Sequence, residues 1–293
     1  MSGAARTLPA AKVRFASDFG ARLAALELHL AHGRQSPEGA GSAAKIGMGT
    51  DFAGYRPYRA GEDLRQLDWN LLARLDQPFV KVTRREAGEN WVVCLDSSAS
   101  MGVGPPGKLQ RAAECSAALC ALGARFGARV KLLLSPGAED RPRVFEAGAR
   151  DGQAALLEFL EEQEAAGSSG LASLLNHGHW FREASRVFCI GDLCDTPASL
   201  VLSLRRASRD ISLLHLCAPD ELDPPLGAIK LWDAENQEVL ALELTEAKRS
   251  QYRAAVEERL ELWRTMASRH RIGYVCRSTD EDFEPIVSLL FAR

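Results

Sequence analysis

The feature that most constrains this chain is a set of short, unbroken apolar runs, two of which lead into an aspartate. Trp91-Val92-Val93-Cys94-Leu95 runs into Asp96, and Val187-Phe188-Cys189-Ile190 runs through Gly191 into Asp192. A strand with one wet face alternates apolar and polar residues, whereas a continuous run of four or five marks a strand covered on both faces. Helical patterns separate these runs, over about 108–126, 151–163, 171–182, 197–208 and 246–269, with a last one near 281–291. Further strands are expected at 129–134, 142–146, 211–216 and 273–276. Strand and helix in alternation predict an α/β fold, a Rossmann-like, mostly parallel sheet flanked by helices. Small residues (Ala112, Ala113, Ser116, Ala117) suit close packing of the first of these helices on the sheet. Residues 219–245 break the alternation. AIKLWD and QEVLALEL flank Ala234-Glu235-Asn236, which predicts an inserted β-hairpin. In the long helix that follows, Tyr252, Val256, Leu260, Trp263 and Ala267 share a face.

Upstream, Phe15, Phe19, Leu23, Leu26 and Leu30 recur at helical spacing and predict a helix over about 12–32. Residues 33–50 are rich in Gly, Ser and Ala and read as a loop. Residues 51–76 are densely polar and aromatic without a clean helical or strand period, and Phe79-Val80-Lys81-Val82 alternates like a half-buried strand. The expected division is therefore 1–85, a helix, a loop and a polar-aromatic box, and 86–293, the sheet domain.

Composition excludes several classes. The chain has 293 residues, 46% of them hydrophobic, with 36 basic against 39 acidic residues and a net charge of −3, so it is neither disordered nor gripped to nucleic acid by bulk positive charge. No apolar run approaches the ~20 residues of a spanning helix, and the first residues lack an apolar signal core, so the expected compartment is the cytoplasm. Seven cysteines, an odd number with no C-x-x-C pair, read as reduced, buried thiols rather than a disulfide framework or zinc site. His177 and His179 lie beside Trp180, where a surface or packing role is expected.

Open parallel sheets bind ligands beyond the carboxyl ends of their strands, where strand order reverses. Asp96-Ser97-Ser98-Ala99-Ser100 fits D-x-S-x-S, so Asp96, Ser98 and Ser100 offer one carboxylate and two hydroxyls from one tight loop. These are hard oxygen donors of the kind magnesium takes. Ser169 could add a hydroxyl from a neighbouring loop, and Asp192 could reach the ion directly or through water. A site of low negative charge leaves one position able to accept a partner's carboxylate. The alternative is that Asp96 and the serines cap the following helix.

Gly102-Val103-Gly104-Pro105-Pro106-Gly107-Lys108 matches the G-x-x-x-x-G-K phosphate loop. Leu109 stands where that loop needs Ser or Thr, and Pro105 and Pro106 lack the N–H groups that would face phosphate. A nucleotide-dependent enzyme is thus the rival reading, and the plain reading of Lys108 is a solvated residue in a first helical turn. The aspartyl-phosphate arrangement D-x-D is not met at Asp96, where Ser98 takes the second position, and G-x-S-x-G and H-E-x-x-H do not occur.

Two segments, GTDFAGYRPYRAGEDLRQLDWNLLARLDQPFVK (49–81) and NWVVCLDSSASM (90–101), resemble the bacterial family catalogued as domain of unknown function fifty-eight. That family pairs an RxYxxGDDxRxIDWxxxAR box with a von Willebrand factor A-like domain. The box here reads Arg56, Tyr58, Gly61, Glu62, Asp63, Arg65, Leu67, Asp68, Trp69, Ala73 and Arg74, with Glu62 where Asp is usual. Asp220-Glu221-Leu222, Leu231 to Glu235, Tyr252, Gly273-Tyr274 and Ser278-Thr279-Asp280 continue the resemblance, which spans about 45–293. It implies a von Willebrand factor A-type sheet with an adhesion-type Mg2+ (or Mn2+) site. Asp96, Ser98 and Ser100 would form its first loop, Ser169 would take the usual threonine's place, and Asp192 would be the aspartate after the fourth strand. Leu193 replaces the glycine expected after that aspartate. The resemblance also implies a MoxR-type AAA+ ATPase as partner. Together these readings give a non-enzymatic interaction protein, the alternatives being the nucleotide enzyme or a regulatory domain with a vestigial metal site. In the box itself, Asp51, Asp63 and Asp68 interleave with Arg56, Arg59, Arg65 and Arg74, which suits bidentate internal pairing, with Tyr55, Tyr58 and Trp69 as anchors.

Overall fold

The computed structural model describes residues 12–33, 51–58, 69–75, 77–84, 89–104, 107–136, 141–146, 152–194, 196–208, 210–232, 234 and 238–291. Two compact units result, residues 1–35 with 90–293, and residues 36–89. In the smaller unit, β1 (Asp51–Pro57) pairs antiparallel with β2 (Phe79–Arg84), and α2 (Trp69–Leu75) lies between them in sequence. The expected strand at 79–82 is there. Its partner is a correction to the reading of 51–76 as aperiodic. The register shifts between Phe52 and Gly54, and such a bulge destroys the two-residue period by which a strand is read. Asp63, Asp68, Arg59 and Arg65, and the side chains of Asp51, Tyr55, Arg56 and Trp69, lie outside the described residues, as do Gly61, Glu62 and Leu67.

The larger unit opens with α1 (Phe19–Gly33) and continues β3 (Asn90–Leu95), α3 (Lys108–Arg125), β4 (Arg129–Leu134), β5 (Arg143–Glu146), α4 (Gly152–Glu161), α5 (Leu171–Leu175) and β6 (Arg186–Gly191). Then come α6 (Ala198–Ala207), β7 (Asp210–Cys217), α7 (Pro219–Leu222), the hairpin β8 (Gly227–Trp232) and β9 (Val239–Leu244), α8 (Glu246–Arg269), β10 (Gly273–Ser278) and α9 (Phe283–Phe291). The main sheet has the order β10-β7-β6-β3-β4-β5, parallel throughout except for the antiparallel edge strand β5. From β3 the chain moves outward to β4 and β5, then returns to build β6, β7 and β10 on the other side. Strand order therefore reverses between β3 and β6.

The continuous apolar run of β3 serves two cores. Trp91, Val93 and Leu95 pack with α1, α3, α4 and α9, while Val92 and Cys94 pack with α5, α6 and α8. Ala112, Ala113, Ser116 and Ala117 of α3 are all buried, as their size predicts. Two helix boundaries differ from expectation. The first helix begins at Phe19, because Arg14 N–H donates to Gln110 Oε1 (2.9 Å) and Phe15 N–H to Glu161 Oε1 (3.1 Å), which draws this stretch onto neighbouring side chains. The predicted 171–182 helix stops at Leu175, with Asn176 as its C-cap, and resumes as a 3-10 turn over Gly178–Phe181. All seven cysteines are free, five of them buried, with Cys276 half-buried and Cys194 exposed. No helix among the described residues is long and apolar enough to cross a membrane.

Packing of α3 on β3 is tight at Gly123. A Cβ there would lie 2.5 Å from Val130 Cγ2 and 2.8 Å from Trp91 Cε3. Gly123→Ala is expected to destabilise the protein by about 1–3 kcal/mol through overpacking, despite alanine's better helix propensity. Urea unfolding measures it, and a variant as stable as the parent would show that the helix can shift outward without cost.

Candidate functional site

The strand-order reversal brings the ends of β3 and β6 side by side, and Asp96 N–H donates to the Ile190 carbonyl (2.9 Å) across them. Asp96 follows β3 and is 3% exposed; Asp192 follows β6 and is 4% exposed. Asp96 Oδ1 accepts from Ser98 N–H (2.9 Å) and Ser98 Oγ (2.7 Å), and Oδ2 accepts from Leu171 N–H (3.2 Å). Ser98 Oγ lies 3.1 Å from Ser100 Oγ, and Asp192 is close enough for Ser100 to help hold its carboxylate ionised. A chain of oxygens thus runs from Asp96 through Ser98 to Ser100, with Asp192 near enough to act on the Asp96 carboxylate. Ser97 points elsewhere: its N–H and hydroxyl bind Ser135 at the end of β4.

Backbone bonds from Ala99 N–H to Gly167 O (2.8 Å) and from Ala166 N–H to Ser97 O (3.0 Å) hold the neighbouring loop against this turn. Ser169 is half-buried on that loop, one residue before Gly170, where a Cβ would lie 2.9 Å from Asp96 Oδ2. Gly191 is equally close, since its Cβ would meet Asp96 Cβ at 2.8 Å. The five residues singled out by sequence therefore come from three loops that meet at Asp96. The capping alternative does not describe them. The 3-10 turn Ala99–Gly102 and helix α3 both begin without a side-chain cap, and the N-cap of α3 is Gly107. Leu193, in the position where glycine was expected, adopts φ 53°, a left-handed backbone that costs a branched residue roughly 1–2 kcal/mol.

Lys108 corrects the reading of a solvated residue. It is 1% exposed, and its ammonium donates to Asp192 Oδ2 (2.9 Å) and Glu221 Oε1 (2.7 Å). It starts α3 close under the strand ends, so its side chain enters the site and is enclosed. An ammonium held by two carboxylates is not offered to a nucleotide phosphate, and Pro105 and Pro106 lie outside the described residues. Glu221 is itself fixed by Ala218 N–H (2.7 Å) on Oε2, and α8 braces the same region through Tyr252 Oη donating to Glu221 O (2.8 Å) and Arg249 to Asp223. Arg259 of α8 also donates to Cys194 O (2.9 Å) beside Asp192.

The charges behave unequally. Burial, with Asp192 as the next cause, pushes Asp96 up to about 6, against the lowering effect of the Ser98 and Leu171 donors. Burial also disfavours the Asp192 carboxylate, but Lys108, Cys194 N–H and Ser100 outweigh it and hold Asp192 below its ordinary range. Lys108 is raised because its two carboxylates outweigh burial. One strand further along, burial lowers His215 to about 4, so its imidazole is neutral at pH 7. His215 approaches Cys217 and Cys276, a group the sequence reading missed. The signal was His215-Leu216-Cys217, two residues apart on a strand and hence on one face. His177 and His179 are exposed beside Trp180, His177 stacking on its ring at 4.9 Å.

A family model described as "Protein of unknown function DUF58" matches residues 54–261. The chain is similar to "Uncharacterized protein Rv1480" of Mycobacterium tuberculosis and "Uncharacterized protein Mb1516" of Mycobacterium bovis. Each is 28% identical over 232 residues, covering 75% of this chain and 72% of the relative. Among solved structures, the crystal structure of the SpRpn10 VWA domain aligns with a TM-score of 0.39 and 11% identity, over 69% of this chain and 94% of that one.

Proposed function

The chain belongs to the DUF58 family of proteins of unknown function, and from that premise we propose that it is a non-enzymatic interaction module working through a divalent-cation site at Asp96. The observation that carries this is the convergence of the buried Asp96, Ser98 and Asp192 and the half-buried Ser100 into one cluster of hard oxygens at the strand-order reversal. The donor set fits Mg2+ or Mn2+: two carboxylates and two hydroxyls, with Ser169 on the adjoining loop, suit an ion that keeps part of its water. A buried Asp96 whose ionisation the Asp192 carboxylate makes costlier also favours a cation between them. When bound, such an ion supplies one electrophilic position for a carboxylate from outside. The occupant of that position is proposed to be an acidic residue of a protein partner, a MoxR-type AAA+ ATPase by family resemblance. The compartment is proposed to be the cytoplasm.

Calorimetric titration of Mg2+ and Mn2+ tests the metal assignment. The wild type is expected to bind and Asp96→Ala, folded by circular dichroism, to release no heat; identical isotherms sink the assignment. Partner capture that survives chelator would place recognition elsewhere. One observation favours the reading of a vestigial site: Lys108 already supplies a positive charge to Asp192.

A further inference from the structure

Strands β7 and β10 run parallel, with His215 opposite Cys276 and Cys217 opposite Ser278. Side chains two residues apart on a strand share a face, so His215, Cys217, Tyr274 and Cys276 stand together at the carboxyl end of the sheet. A ring nitrogen of His215 and both sulfurs lie within 4.8 Å of one another. The Cys217 and Cys276 sulfurs are 3.9 Å apart. That is far too long for a disulfide at ~2.05 Å. It matches the sulfur–sulfur edge of about 3.8 Å in a tetrahedron with metal–sulfur bonds of ~2.3 Å. The His215 ring is oriented by the Tyr274 hydroxyl, 2.8 Å from Nδ1. Tyr274 Oη, held by this bond and on the same strand face as Cys276, borders the same space.

We propose that His215, Cys217 and Cys276 form a zinc site, with the fourth position toward Tyr274 Oη. Two sulfurs and an imidazole are soft and borderline donors, which select zinc over magnesium, so this site is chemically distinct from the oxygen cluster at Asp96. Burial of His215 and Cys217 keeps two ligands dry, while half-exposed Cys276 lies on a cavity of about 420 Å³, shared with Arg264, Ser268 and Tyr274, that gives an ion a way in. Gly191 pairs with His215 in the sheet register, so a cation here would clamp the ends of β7 and β10 beside the Asp192 loop.

Cobalt is the probe. The full chain, reduced and stripped by chelator, is titrated with Co2+. The expected result is a sulfur-to-cobalt charge-transfer band with the strong visible bands of a tetrahedral ion, saturating at one equivalent and bleached by Zn2+. Cys276→Ser and His215→Gln are expected to weaken binding at least about tenfold, while Asp96→Ala keeps the band. The proposal is overturned by an absent charge-transfer band when both thiols titrate as reduced. It is overturned equally by an undiminished band in folded Cys276→Ser. A non-reducing mass lower by two hydrogens would also overturn it, by showing that the pair closes as a disulfide.

Discussion

Lys108→Met is expected to lower the thermal midpoint by about 5–10 °C and, at the same time, to strengthen magnesium binding at least about tenfold. The first effect follows from burial. The Lys108 side chain is 1% exposed, and the side chains of its two partners, Asp192 and Glu221, are 5% and 35% exposed. Removing one member of a buried ion pair leaves the other charged and without a partner, at a cost of about 3–5 kcal/mol. Glu221 can turn to water, so the lower end applies, about 3 kcal/mol. Methionine keeps the unbranched stem, so the loss comes from charge and not from a cavity. The second effect has the opposite sign because an ammonium and a divalent cation compete for Asp192. With the ammonium gone, Asp192 Oδ2 loses its donor and the oxygen cluster regains a full carboxylate. Thermal unfolding with and without magnesium, joined to calorimetry, reads both effects. A variant as stable as the parent would remove Lys108 from its structural role, and an unchanged magnesium affinity would mean that Asp192 takes no part in cation binding.

Lys108 also shows what a sequence can and cannot make legible here. Unbroken apolar runs specify strands buried on both faces, and the two aspartates that end them mark strand ends; both readings need only local pattern. Asp96, Ser98 and Ser100 were legible because they sit within one turn of chain. Lys108 was not, because its partners are 84 and 113 residues away, and a lysine opening a helix normally faces water. Only the arrival of β6 beside β3, and of α7 behind it, encloses the ammonium. The same limit hid His215, Cys217 and Cys276. His215 and Cys217 share a strand face by spacing, but Cys276 joins them through the register of β7 on β10, which no local pattern encodes. Strand β1 escaped for another reason: its bulge at Phe52/Gly54 erases the period by which strands are recognised. The helix that was read from residue 12 failed at Arg14 and Phe15, where side chains of α3 and α4 outcompete the helix for the backbone N–H groups.

With cations removed by chelator, the stability advantage of the wild type over Asp96→Ala is expected to fall by on the order of 3 kcal/mol between pH 4 and pH 7. Burial first, and the Asp192 carboxylate second, hold Asp96 at about 6 against an ordinary 3.8. Each pKa unit is worth about 1.4 kcal/mol, and roughly two units separate the folded and unfolded states. The direction follows from which state holds the proton. Below 3.8 both states are protonated and the contribution of Asp96 is fully present. As pH rises, the unfolded chain releases its proton first, and the contribution is lost as pH passes through about 6. His215 works the other way. Burial holds it at about 4, so its contribution is present above 6.5 and lost as pH falls toward 4. It is common to both proteins and cancels in the difference, as do the exposed carboxylates. Urea unfolding of both proteins at pH 4, 5, 6 and 7 gives the curve. Saturating magnesium is expected to flatten it, since an ionised Asp96 beside a cation no longer carries the burial penalty. A difference that stays level in the metal-free protein would mean that Asp96 ionises at its ordinary pKa. The two buried carboxylates would then exert no demand for a cation.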